Sequence, residues 1–212
     1  MIIEHRGIEP RIDESVFIAP TAVICGNVNV GPKARVMYGA IIDSEASAVK
    51  IGAFSIICEN AVIRATKIED TNHPVHIGAH AFISPHATLL GCSIASQAYI
   101  ATGATVLQGA EVAKGAVVAV GALVHANTKI PSGFFLAPNA VAIGDPLKVY
   151  GPDDRDAVVN AIKSIAFTKI AFGVTPQPED RIATMNRVTQ IRSKEFESHL
   201  EDIILEPEGK IH

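Results

Sequence analysis

An aliphatic residue returns every six positions through most of this chain, and that period restricts the fold more than any other feature of the sequence. The units begin at Ile18, Ile24, Val30, Val36 and Ile42, then Ile51, Ile57 and Ile63. They resume at Ile77, Ile83, Leu89, Ile94 and Ile100 and run on through Val106, Val112, Val118, Val124 and Ile130 to Leu136. The fifth position is usually small, as at Ala22, Ala34, Ala61, Ala87, Ala104 and Ala122. A period of six sustained in this way is the hexapeptide signature of a parallel β-helix. Each unit supplies one short strand and a turn, and three units close one coil of a triangular prism. The aliphatic side chain points inward and stacks on its equivalent one coil away, while the small residue fits the tight corner. One unit cannot bury its own apolar face, so stability must come from stacking.

Composition agrees with such a core. Hydrophobic residues make up 48% of the chain but aromatics only 5%, as expected for stacked Ile, Val and Ala with little room for rings. The net charge of −4, with scattered Lys and Arg, predicts no nucleic-acid partner. No apolar run approaches the roughly 18 residues that span a bilayer, and the N-terminus has no basic-then-apolar leader pattern, so no membrane partner is expected. Cys25, Cys58 and Cys92 are odd in number, sit inside repeat units and form no CxxC. They read as small buried hydrophobes in a reducing compartment, and the expected location is cytoplasmic.

Two gaps break the period. Nine residues separate Ile42 from Ile51, so DSEASAVK carries a short loop; fourteen separate Ile63 from Ile77, so RATKIEDTNHPVH carries a larger, polar one with His73 and His76. Insertions in a solenoid emerge as loops, often on the functional side. The larger loop is the candidate flap over a site. Beyond Gly144-Asp145-Pro146 the period fades. Apolar residues at helical spacing predict one helix from Asp153 to about Phe172 and a second from about Glu179 to Ile204, started by Pro178, Glu179 and Asp180. The pair packs on the prism or serves a partner or neighbouring subunit.

The phrases FIAPTAVICGNVNVGPKARV, LLGCSIASQAYIATGATVLQGAEV and AIGDPLKVY resemble the γ-class carbonic anhydrase branch of the hexapeptide-repeat proteins, over roughly residues 8–150. The resemblance implies an all-β left-handed parallel β-helix assembled as a homotrimer, with the C-terminal α-helices appended. The expected division is an N-terminal cap or edge strand over 1–17, the β-helix over 18–148 and a helical extension over 149–212.

In that family three histidines hold zinc at a subunit boundary, two from adjacent coils of one chain and one from its neighbour. Matching Gly91-Cys92 and the ENAVIRAT phrase to the family puts Arg64, Pro85 and Leu90 at the three ligand positions. Arg stays protonated, and Pro and Leu offer no donor, so none is a zinc ligand. The family's arginine-glycine-aspartate phrase is altered to Asp43-Ser44-Glu45. No cofactor and no metal are therefore expected, and carbonic anhydrase activity is not. The spacing of the repeat puts Asp43 and Arg64 in one column on neighbouring coils. They either meet as an ion pair, joined by Glu45, or stand apart as solvated rim residues. The boundary set Asp43, Glu45, Arg64, Pro85 and Leu90 then belongs to a scaffold or to a cleft for a small anionic ligand. The superfamily also implies an alternative, a coenzyme A-dependent acetyltransferase with a boundary histidine as general base. His86 is the candidate base, with His125 in reserve and acetyl-CoA as cosubstrate. His73, His76, His80 and His86 are one further possibility, an improvised metal cluster.

Overall fold

A computed structural model describes residues 1–68, 71–175 and 180–205. Its strands form three parallel ladders, one on each side of a prism. Among the described residues the first face stacks eight parallel strands, from Ile2–Glu4 at one end to Val141–Ile143 at the other. The second face runs from Arg11–Ile12 to Lys129–Ile130 and the third from Phe17–Ile18 to Phe135–Leu136, with seven strands each.

The register follows the six-residue period. Ile24 pairs with Ile42, Ile42 with Ile63, Ile63 with Leu89, Leu89 with Val106 and Val106 with Val124. All six are fully buried, and so are the corner residues Ala22, Ala34, Ala40, Ala61, Ala87 and Ala104. The fourth position of a unit turns the chain through the left-handed region, in several units with glycine, as at Gly103, Gly109 and Gly115. His80 and His86 occupy this same position with φ of +56° and +60°. Corners between coils are tight. A Cβ on Gly52 would lie 2.5 Å from the Ala79 backbone nitrogen and 2.6 Å from the Gly78 carbonyl carbon.

The N-terminal residues join the repeat. Ile2–Glu4 pairs in parallel with Val23–Cys25, and Arg11–Ile12 with Val28–Val30. The larger insertion folds as a β-hairpin, with Thr66–Ile68 antiparallel to Thr71–His73.

The C-terminal segment departs from the helical spacing in two places. Instead of one helix to Phe172 there are two, α1 over Arg155–Lys163 and α2 over Phe167–Phe172. The Ser164 hydroxyl donates to the Ala161 carbonyl at 2.6 Å, competing with the helical ladder at the break. Helix α3 covers Arg181–Phe196, and the Asp180 carboxylate caps it by accepting from the Ala183 N–H at 2.8 Å. Pro178 and Glu179, expected in the start signal, lie outside the described residues. Helix α3 ends well before Ile204. A 3-10 turn over Glu197–Glu201 follows, and Ile203–Leu205 then becomes a strand antiparallel to Ile2–Glu4. Its apolar run satisfies a strand as well as a helix, and the open edge of the first coil supplies the ladder. The C-terminal segment thus returns to the start of the prism and covers its edge.

Candidate functional site

The first face places the boundary residues. Asp43, Arg64 and Leu90 are successive register partners at the same end of their strands. The Asp43 Oδ1 accepts the Glu45 backbone N–H at 2.9 Å, which turns the short loop and aims the Glu45 side chain back at the column. Glu45 is buried and ion-paired with the Arg64 Nη2, while the Arg64 Nε lies 3.6 Å from Asp43 Oδ2. Asp43, Glu45 and Arg64 therefore form one cluster.

Helix α3 roofs that cluster, which the sequence did not reveal. Arg192 Nη2 lies 3.6 Å from Glu45 Oε1, and Arg192 Nη1 donates to Glu195 Oε2 at 2.6 Å. The Phe196 ring takes both guanidinium groups, with Arg64 Cζ at 5.0 Å and Arg192 Cζ at 4.6 Å from its centroid. Burial raises the pKa of Asp43 against the opposing pull of Arg64, and burial lowers that of Arg64 against the opposing pull of Asp43. Desolvation thus works against both charges, and their mutual attraction offsets it.

Pro85 lies elsewhere. It follows Phe82–Ile83 on the third face, where its carbonyl accepts from the Gly103 N–H. One chain does not bring Arg64, Leu90 and Pro85 together. His73 reaches the neighbourhood of Leu90 instead. The hairpin lays it against Gly91, where a Cβ would lie 3.1 Å from the His73 carbonyl oxygen and 3.3 Å from Gln108 Cγ. Its Nε2 and the Gln108 Oε1 are both buried without a hydrogen-bond partner. Sequence reading singled out His73 as part of a flap and passed over Gln108, whose unit gives no signal beyond a polar second position after Val106.

The other histidines separate. His76 projects from the second face in an exposed ladder between Lys50 and Ser93. His80 stacks on Phe54, centroids 4.9 Å apart, at an exposed corner, and His86 is exposed at another. Among the described residues, none of His73, His76, His80 and His86 belongs to a group of three or more converging His, Cys, Asp or Glu side chains. The improvised cluster is not assembled within the chain. His125 is buried under Phe167 of α2, ring centroids 5.3 Å apart, and its Nδ1 accepts the Ala126 N–H at 2.9 Å. Burial lowers its pKa. His86 and His125 share no pocket, and α2 covers the second of them.

No helix among the described residues is long and apolar enough to cross a membrane. Cys25, Cys58 and Cys92 are buried and free.

No family model matches the chain. Two solved structures share the fold over nearly all of it. A hexapeptide transferase family protein from Anaplasma phagocytophilum superposes with a TM-score of 0.51 at 19% identity, covering 91% of this chain and 97% of that one. A Bacillus cereus protein gives 0.52 at 21%, covering 95% and 98%. At such identity they speak for the architecture alone. In sequence, the chain is 36% identical over 126 residues to γ carbonic anhydrase 1, mitochondrial, of Arabidopsis thaliana, which is 58% of this chain and 46% of the relative. It spans less than half the length of the three plant relatives it matches. The "Probable carbonic anhydrase" of Methanocaldococcus jannaschii is 37% identical over 154 residues, covering 73% of this chain and 88% of the archaeal one. The chain belongs to the γ-carbonic anhydrase-like branch of the hexapeptide-repeat, left-handed β-helix superfamily.

Proposed function

We propose that this protein is a homotrimeric scaffold of the γ-carbonic anhydrase-like branch that does not hydrate CO₂, its family zinc position being replaced by ion pairs. One observation carries the reading. Arg64, at a family ligand position, is held by Asp43 and Glu45 and roofed by Arg192 and Phe196. A catalytic zinc needs three neutral or anionic donors and an open fourth position. This arrangement offers a fixed cation and a lid. With its charge engaged by two carboxylates, Arg64 also favours a scaffold over a cleft for an anionic ligand.

Leu90 and Leu107, half-buried on the lateral face, and exposed Ile182, Met185 and Leu200 on the C-terminal segment supply apolar surface for a neighbouring chain. The acetyltransferase reading gains no support, because His86 serves a corner and His125 lies beneath α2. Light scattering tests the assembly. The expected mass at micromolar concentration is three times 22.4 kDa. A monomeric mass would overturn the scaffold reading, since the boundary would not exist.

A further inference from the structure

We propose that His5, Cys25, His199 and Asp202 form a structural zinc site that fastens the C-terminal segment to the first coils of the β-helix. The ligand atoms of these four residues lie within 4.8 Å of one another, and the site adjoins the Asp43–Glu45–Arg64 cluster: Cys25 pairs with Asp43 in the ladder, and His199 also comes within 4.8 Å of the Asp43 and Glu45 carboxylates. His5 Nδ1 is 2.6 Å from Asp202 Oδ1, and His199 Nδ1 is 2.8 Å from Asp202 Oδ2. The two imidazoles stack with centroids 4.3 Å apart. One carboxylate thus gathers two ring nitrogens, and a buried thiol stands beside them.

The fold builds this place with some care. Arg6 and Gly7 turn the chain through the left-handed region straight after the first strand, which sends the His5 side chain inward to complete burial. Gly26 makes room for it, since a Cβ there would lie 3.2 Å from the His5 Cβ. Cys25 ends the next strand of the same ladder, and the 3-10 turn delivers His199 and Asp202 from the far end of the chain. A purely hydrogen-bonded clasp needs the two histidines and the aspartate but has no use for the thiol. Burial and the neighbouring Asp43 and Asp202 carboxylates push the Cys25 thiol up to about 12, where no metal is bound. A divalent cation reverses that balance by stabilising the thiolate.

The donor set selects the metal. One thiolate, two imidazoles and one carboxylate suit Zn²⁺, and hard cations such as Ca²⁺ and Mg²⁺ take oxygen ligands instead. On binding, Cys25 gives its proton to solvent, and each histidine coordinates through Nδ1 as a neutral ring. Asp202 is already a carboxylate, so Zn²⁺ with two anionic ligands leaves the site neutral. Coordination at His5 Nδ1 places its proton on Nε2, so Arg6, which now donates to Nε2 at 3.1 Å, turns to solvent where it is already exposed. With four protein ligands and no open position the site is structural, and it supplies no CO₂ hydration.

The test is zinc content after equilibrium dialysis of the full-length protein against zinc chloride and then against metal-free buffer. The expected result is about one zinc per chain, falling at least about tenfold in Cys25→Ser and in His199→Ala and unchanged in His86→Gly. Cobalt substitution should give a thiolate-to-metal charge-transfer band that Cys25→Ser abolishes. His199 is half-exposed, so its variant is expected to fold even if Cys25→Ser does not. Less than about a tenth of a zinc per chain in the wild type would overturn the proposal and leave a hydrogen-bonded clasp. So would zinc retained in both ligand variants. Zinc lost on changing His86 would place the metal at another site.

Discussion

At the scale of single residues the central feature is a cation, Arg64, with its countercharges Asp43 and Glu45 supplied locally. Removing it leaves Asp43 without its cation and the buried Glu45 with Arg192, at 3.6 Å, as its remaining one. Breaking a fully buried pair typically costs about 3–5 kcal/mol. Arg64 is 29% exposed, so water screens part of that, and about 1–3 kcal/mol is expected for Arg64→Leu. Glu45→Gln in the same chain should recover part of the loss, because one of the two carboxylates that Arg64 faced is then neutral. Chemical denaturation of both single variants and the double variant measures this. Strictly additive losses would mean that Arg64 and Glu45 act independently. The Asp43–Arg64 column was legible in the sequence because a six-residue period fixes both face and register. The participation of Glu45 required the loop turned by Asp43. That of Arg192 and Phe196 required knowing where a helix more than a hundred residues away would dock, and no period encodes that. His86 shows the converse. Its place beside Pro85 drew attention in the sequence, yet its unit position made it a corner residue, as the φ of +60° records.

At the scale of elements the chain closes on itself. The parallel ladder of the first face would end in an open edge at Ile2–Glu4 if Ile203–Leu205 did not pair with it. Unpaired edges invite pairing with other chains. A chain ending at Asp202 keeps the four proposed ligands but loses this strand. Its Ile2–Glu4 amides should lose hydrogen-exchange protection by about tenfold or more, and light scattering should show added association. Unchanged protection would show that the strand contributes nothing to the edge. The sequence displayed the coils from Ile18 onward, since Ile, Val and Ala recur at positions that only inward packing explains, but not that Ile2–Glu4 and Arg11–Ile12 start the first coil. It concealed the C-terminal strand for a physical reason. Ile203, Ile204 and Leu205 fit helix and strand patterns equally, and the choice is made by an edge that residue 2 provides. The break between α1 and α2 was hidden in the same way, because apolar spacing continues through Ile165 while the backbone does not.

At the scale of the whole molecule, a stacked prism carries a C-terminal segment that folds back over its first coils. The family's fold is intact from Ile2 to Tyr150, with buried stacks on all three faces. On the proposed reading Arg64, Pro85 and Leu90 stand at the family's ligand positions, and the C-terminal segment roofs the first of them. On that reading the protein would keep the architecture for assembly and offer no metal-bound water at a subunit boundary. A zinc fastened by His5, Cys25, His199 and Asp202 would stabilise this closed form without changing that conclusion. The most direct test is stopped-flow CO₂ hydration by the zinc-loaded protein, with a pH indicator reporting proton release. The account predicts a rate equal to that of buffer at every protein concentration. A rate that rises in proportion to protein and disappears on chelation would contradict it.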